Sequence, residues 1–245
     1  MKPNKLIVAL DVESAQKARE LFNALRGVVG MFKIGSQLFT AAGPNLVHEI
    51  VNSGERVFLD LKFHDIPNTV AAAGVEATRL GVSIFNLHAA GGSEMMRRTS
   101  ESVAEYADSE KLARPLIIAV TVLTSANEAT LAEIGFPSEP AELVRRLALL
   151  AESSGLDGVV ASAREVGLVR TAVKKPKFIV VTPGIRPTGS TPSDQKRVTT
   201  PREAIISGAD YIVVGRPIIE ASDPARAAQQ VIDEIASSAA NSVTI

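Results

Sequence analysis

Short β-branched apolar runs alternate with stretches of helical periodicity along the whole chain, and this alternation constrains the fold more than any other feature. Strand candidates fall at residues 6–12, 31–35, 57–62, 83–88, 116–123, 158–161, 178–182 and 211–215. Eight such runs over 245 residues give roughly 30 residues per unit, the length of a βα repeat. The runs are apolar almost throughout, as in a parallel sheet covered on its faces. The intervening stretches have helix ends of a recognisable kind. Ser14 is placed to cap a helix carrying Ala15, Ala18, Leu21, Phe22 and Leu25 at 3.6-residue spacing. Leu143, Val144, Leu147, Leu150 and Ala151 form a second stripe, ended by Gly155, and Asp223-Pro224 opens a third with Ala227, Val231, Ile232 and Ile235.

Eight alternating units favour an α/β closed (β/α)8 TIM barrel with a parallel sheet over an open doubly wound sheet. No Ser/Gly-rich linker or charge run divides the chain, so residues 1–245 are expected to form one barrel domain. The first strand runs into Leu10-Asp11-Val12 with no Gly-x-Gly-x-x-Gly turn after it, and no Gly-x-x-x-x-Gly-Lys-Ser/Thr loop occurs, which sets aside two common nucleotide-binding designs.

Composition narrows the function classes. Lys and Arg total 26 against 27 for Asp and Glu, so there is no overall basic field to draw the chain onto nucleic acid. Aromatic residues are 4% with no Trp, a poor basis for a base-stacking surface. Absence of Cys removes disulfides, thiolate catalysis and thiolate metal ligands. No apolar run approaches the ~20 residues of a membrane-crossing helix, and the N-terminus has no signal-peptide cleavage pattern. The expectation is a cytoplasmic protein with no nucleic-acid or membrane partner.

In a barrel enzyme the working groups lie at the C-terminal ends of the strands. Here those ends carry Asp11, Lys33, Asp60 and Lys62, Asn86 and His88, Thr124 and Ser125, Arg186, and Gly215-Arg216, whereas the N-terminal ends show no comparable charged set. Strand alternation puts Phe58, Asp60 and Lys62 on one face and Val57, Leu59 and Leu61 on the other, and puts Asp11 with Ile7 and Ala9. With the more apolar face against the helices, Asp60, Lys62 and Asp11 point into the barrel mouth. The run Asp60-Leu61-Lys62-Phe63-His64-Asp65 beside Lys33 would then alternate two cations with two anions and keep all four ionised. Two other readings stand beside it: an ion-pair network that merely finishes the barrel, and a metal site of Asp60, His64 and Asp65, which the charge of Lys62 opposes.

The last two units suggest a phosphate seat. Thr182-Pro183-Gly184-Ile185-Arg186-Pro187 opens a turn-rich stretch reaching Gln195-Lys196-Arg197, long for a barrel loop and suited to a lid. Loops after strands seven and eight usually hold phosphate in this architecture. Gly215 would admit close approach of a backbone N–H, and Arg216 a charge-assisted fork. His48 reads as a surface residue, His64 as packing within the charged loop, and His88 as a hydrogen-bonded wall residue. Gly91-Gly92-Ser93 before Glu94 reads as a helix start, with an anion site as the alternative.

Lysines locked between carboxylates stay protonated, which suits them less to Schiff-base chemistry than to stabilising a forming carbanion and donating a proton to it. The residues therefore point to negative charge developing on carbon in a phosphorylated substrate, with no bound cofactor and no metal. At this point the motifs become specific. Ala9-Leu10-Asp11, Lys33-Ile34-Gly35, the ten residues from Asp60 to Thr69, Thr121-Val122-Leu123-Thr124-Ser125, Thr182 to Pro187, Asp194-Gln195 and Gly215-Arg216-Pro217 run from the first strand to the last. With them the chain closely resembles the bacterial orotidine 5′-phosphate decarboxylase family, whose reaction makes UMP in de novo pyrimidine synthesis.

The resemblance implies that Lys62 donates a proton to C6 of the pyrimidine after carbon dioxide leaves. It implies that Asp60 and Lys33 hold Lys62 and contact the ribose hydroxyls, with Asp11 assisting. Thr124 and Ser125 would meet the pyrimidine, and Arg216, the Gly215 N–H, Gln195 and Arg186 the 5′-phosphate. Asp65 and Thr69 would reach the site of a neighbouring subunit, making the enzyme a homodimer with shared sites, and Asp65 would lie near the departing carboxylate. Two rivals are kept open. Magnesium-dependent relatives acting on sugar phosphates use an acidic ligand on the second strand, where this chain has Lys33, and a non-catalytic phosphate sensor should have lost members of the charged quartet.

Overall fold

The structure is a computed structural model that describes residues 4–136, 139–187 and 199–240. Its strands are β1 (Leu6–Ala9), β2 (Met31–Gly35), β3 (Val57–Phe63), β4 (Ile84–His88), β5 (Leu116–Val120), β6 (Gly158–Val160), β7 (Ile179–Thr182) and β8 (Tyr211–Val214). They form a closed parallel barrel in sequence order, sealed where Leu6, Ile7 and Val8 of β1 pair with Ile212, Val213 and Val214 of β8. Helices cover the outside, so the expected (β/α)8 barrel is the observed one.

The period of two along each strand divides the apolar residues between two cores. Leu6, Val8, Phe32, Ile34, Val57, Leu59, Phe85, Val180 and Ile212 face the helices, where they join Leu21, Phe22 and Val231 among others. Ile7, Ala9, Met31, Phe58, Ile84, Ile118, Val181 and Val213 fill the barrel interior. Above that plug the same inward register presents Lys33, Asp60 and Asn86. Helix ends follow the capping logic of the sequence: the Ser14 hydroxyl accepts from the Lys17 N–H at 3.2 Å, and Asp223 Oδ1 accepts from the Arg226 N–H at 3.0 Å.

Seven of the eight strands differ from the sequence reading at one bound, and three of these differences shape the barrel mouth. β1 stops at Ala9: the Leu10 N–H still donates to the Lys33 carbonyl at 3.0 Å, after which the chain turns toward the helix capped by Ser14. β5 stops at Val120 because Thr121 sends both its N–H and its hydroxyl to the Val160 carbonyl, at 3.3 and 2.8 Å, completing the ladder. Leu123 and Thr124 therefore lie in a loop. β3 runs on to Phe63 through an irregularity in which Leu59 pairs with Phe85 but Phe63 with Leu87, so extra β3 residues bulge against β4. Lys62 sits in this bulge with φ of 54°, in the left-handed region that side chains other than glycine rarely occupy.

The N-terminal rim carries more charge than the sequence suggested. Asp157, just before β6, is paired with Arg114 at 2.8 Å and accepts the Ile117 N–H at 2.9 Å. Asp210, just before β8, is paired with Arg170 and accepts the Val180 N–H at 2.7 Å. Each aspartate ties off a neighbouring strand's first free N–H, a structural task at the face of the barrel concerned with stability.

Gly158 is required by close approach. A Cβ on Gly158 would lie 2.2 Å from the Ile179 carbonyl oxygen and 2.5 Å from Ile179 Cγ1 inside the barrel. Gly158→Ala is expected to destabilise the fold by about 1–3 kcal/mol, as overpacked cores do, which a urea-unfolding comparison with the unaltered chain would measure.

Candidate active site

At the C-terminal mouth, four side chains from three strand ends form one chain of contacts. Lys33 Nζ lies 2.9 Å from Asp11 Oδ1 and 3.1 Å from Asp60 Oδ2, and Lys62 Nζ lies 2.7 Å from Asp60 Oδ1. The order is Asp11–Lys33–Asp60–Lys62. The alternation of charge expected from the sequence is present, but Asp11 is the second anion. Asp65 has no ion pair among the described residues; it is exposed, and its Oδ1 accepts the N–H of Ile66 at 2.6 Å.

The chain is graded from dry to wet. Lys33 and Asp60 are each 8% exposed, whereas the Lys62 side chain is 36% exposed and opens onto the cavity. Burial alone would raise the Asp60 pKa, but Lys33, Lys62 and hydrogen bonds from Lys62 and Asn86 outweigh it and hold the carboxyl below its ordinary value. Burial alone would lower the Lys33 pKa, but Asp60 and Asp11 outweigh it and raise the ammonium above its ordinary value. Backbone register sets the geometry, with Ala9 opposite Lys33 and Gly35 opposite Asp60. Gly35 also leaves room, since a Cβ there would lie 3.0 Å from Lys33 Nζ and 3.1 Å from Asp11 Oδ1.

Two adjoining cavities open here. One of about 170 Å³ is lined by Lys33, Asp60 and Lys62 on one side and by Val122, Val160, Val181 and Val213 on the other. The second, about 380 Å³, is lined by Thr124, Ser125, Asn127, Arg164, Gly184 and Thr199, among others, and shares Val122, Leu123, Thr124 and Pro183 with the first. Together they offer the 300–1,000 Å³ typical of a small-molecule site, charged at one end and apolar across from it.

The remaining sequence candidates distribute as follows. Thr124 and Ser125 are exposed in the loop after β5 and line the cavities. Arg186 is 7% exposed in the loop after β7, where its N–H donates to the Thr199 carbonyl at 3.1 Å and an Ile185–Thr199 bridge ties the loop's base. Arg216 is exposed at the tip of β8, after Gly215. A Cβ at Gly215 would meet Ala9 Cβ at 3.5 Å and Ala9 O at 3.9 Å, both ordinary contacts. Thr69 and Asp65 are exposed at and before the start of the helix Pro67–Arg79. Gln195 and most of the expected lid lie outside the described residues.

His48 is exposed on the helix Pro44–Asn52. His64 and His88 stack with centroids 5.4 Å apart, and burial, with His64 and Lys62 adding to it, lowers the His88 pKa despite Asp60. Among the described residues no group of three or more His, Asp or Glu is arranged to hold a metal ion, so Asp60, His64 and Asp65 are not assembled as ligands. No helix among the described residues is long and apolar enough to cross a membrane. Gly91-Gly92-Ser93 starts the helix Gly92–Ser109 without a side-chain cap. Asn86, which the sequence placed at a strand end without giving it a role, is 1% exposed and bonded to both Asp60 and the Lys62 backbone.

Residues 4–231 match the sequence profile of the Orotidine 5′-phosphate decarboxylase / HUMPS family. The chain is 54% identical over 232 residues to an orotidine 5′-phosphate decarboxylase of Syntrophotalea carbinolica, covering 95% of each sequence. It is 53% identical to one of Geobacter sulfurreducens, covering 94% of this chain and 95% of that one. The fold superimposes on the crystal structure of the orotidine 5′-phosphate decarboxylase from Lactobacillus acidophilus with a TM-score of 0.83 at 34% identity, covering 95% and 99% of the two chains.

The opposed pKa shifts of Asp60 and Lys33 set a window of stability. The depressed Asp60 contributes stability present above the ordinary carboxylate value of about 4 and lost as pH falls through its folded value. The raised Lys33 contributes stability complete below about 10.4 and lost as pH rises through its folded value. The melting-temperature gap between the unaltered chain and Asp60→Asn should therefore be widest in that window and narrow at both ends. A gap independent of pH would refute this account.

Proposed function

Because the chain belongs to the orotidine 5′-phosphate decarboxylase / HUMPS family, we infer that it is a carboxy-lyase converting orotidine 5′-phosphate to UMP for pyrimidine biosynthesis. The observation that carries the residue-level reading is the Lys33–Asp60–Lys62 chain, ending in a lysine ammonium that faces a cavity with an apolar far wall.

In this reading the bond from C6 to the carboxylate breaks, carbon dioxide leaves, and the electron pair stays on C6 in the ring plane. Lys62 Nζ stabilises that charge and transfers one proton to C6, leaving a neutral amine that regains a proton from water. Asp60 and Lys33 hold the ammonium in place and meet the ribose hydroxyls, with Asp11 at the far end of the chain. Thr124 and Ser125 receive the pyrimidine. Arg216, the Gly215 N–H, Arg186 and Gln195 receive the 5′-phosphate, whose distance from the reacting carbon lets its binding energy serve the transition state. The reading calls on no metal or cofactor, treats the eight-unit barrel as one catalytic domain, and assigns the chain to the cytoplasm.

A homodimer with shared sites belongs to the same proposal. Asp65 and Thr69 are exposed, and between them Ile66 leaves 65% of an apolar side chain uncovered. These properties suit a surface that a second copy covers while its Asp65 enters the neighbouring mouth.

Loss of orotate absorbance on mixing with orotidine 5′-phosphate tests the activity, since a mere binder leaves the absorbance unchanged. The rate should survive EDTA, and Lys62→Ala should abolish turnover while retaining the fold by circular dichroism. Residual turnover in that variant would refute the proton-donor role. Co-refolding inactive Lys62→Ala with inactive Asp65→Ala should restore about a quarter of native activity, because half the dimers are mixed and each has one intact site; no recovery would remove Asp65 from a shared site.

A further inference from the structure

We propose that Asn86 is a positioning residue that aims the Lys62 ammonium, by clamping the bulged backbone of Lys62 and the carboxylate of Asp60 with a single side chain. Asn86 lies on β4, facing the interior, with Asp60 on its β3 side and apolar groups elsewhere around it: its β5 partner is Ile118, and Ile84 precedes it on the same face. A carboxamide 1% exposed in such surroundings requires partners, and it has two. Its Oδ1 accepts the backbone N–H of Lys62 at 2.8 Å, and its Nδ2 donates to Asp60 Oδ1 at 2.7 Å.

These contacts close a ring. Asp60 Oδ1 is the same atom that receives Lys62 Nζ, at 2.7 Å. Lys62 is thus held at both ends, its ammonium by Asp60 and its backbone by Asn86, while Asn86 fixes the orientation of Asp60. The backbone contact has a specific cause. The bulge between the Leu59–Phe85 and Phe63–Leu87 pairs takes Lys62 out of the regular ladder, and the Asn86 side chain supplies the acceptor for its N–H. A left-handed lysine persists only where its surroundings over-determine it, and Asn86 provides part of that determination.

The inference deepens the decarboxylase reading and rests on it, and the test separates the two: an inactive native protein would sink the reading, while an active one insensitive to position 86 would sink only the inference. Asn86→Ala should lower the single-turnover decarboxylation rate about 100-fold, the scale of effect expected from misplacing a reacting group by ~1 Å, with substrate affinity changed less than about threefold because the phosphate contacts are untouched. Asn86→Asp keeps the acceptor for Lys62 but sets a second carboxylate against Asp60 until a proton bridges them. The charged and titratable groups around position 86 are Asp60 and Lys62 on β3, Lys33 on β2 beyond Asp60, and His88 and His64 nearby; the β5 side offers only Ile118. The histidines are common to both proteins, so the ratio of Asn86→Asp to native rate isolates the new carboxyl, and it should climb as pH falls from about 8 to 5.5. A ratio flat with pH overturns the proposal, as does an Asn86→Ala protein within threefold of the native rate. Should Asn86→Ala fail to fold, the pH ratio of Asn86→Asp decides alone.

Discussion

Everything at the barrel mouth depends on one buried carboxylate bonded on both oxygens. Removing a carboxylate from water costs several kcal/mol, and Coulomb attraction offsets that only with near-ideal geometry and satisfied lone pairs. Asp60 meets the condition with Lys33 on Oδ2 and with Lys62 and Asn86 on Oδ1. Three strands must be in register for this to happen: β2 supplies Lys33, β3 supplies the carboxylate and Lys62, and β4 supplies the amide. The requirement also explains why β3 is irregular. Side chains two apart on a strand share a face with their Cα atoms roughly 6.5 Å apart, and the bulge reshapes that spacing where the lysine must fold back onto its own strand.

The same arrangement separates charge from solvent in steps. Lys33 is enclosed between two carboxylates, whereas Lys62 has one carboxylate partner and an open side. Both cations border the cavity, but Lys62, with the fewer carboxylate partners, has the more exposed side chain, 36% against 10%. Val122, Val160, Val181 and Val213 line the same cavity without a polar side-chain atom, and apolar walls strengthen the field of the ammonium within it.

The barrel was legible because its signals are local. Each strand run and each capping residue announces itself within a few positions, and the period of two already sends Asp60, Lys62 and Asp11 inward. What the sequence hid was relational. Asn86 sits in Ile84-Phe85-Asn86-Leu87-His88 and reads as an incidental polar residue until the bulge in β3 brings the Lys62 N–H to it. Spacing along the chain favoured Asp65 as the second anion, but the pairing of β1 with β2 gives that place to Asp11. Asp157 and Asp210 belong to the N-terminal strand ends, where the sequence shows no charged set comparable to that of the opposite rim. Their position directly before a strand, with arginines elsewhere to meet them, was the available clue.

Those two aspartates divide the molecule's obligations between opposite rims. With Arg114 and Arg170 they moor the starts of the strands far from the cavity, so the loops at the other rim are free of any duty to hold the cylinder together. Residues facing the ligand can then be exchanged over generations with little penalty to foldedness, and one scaffold can be retooled for new substrates while its foundations stay put.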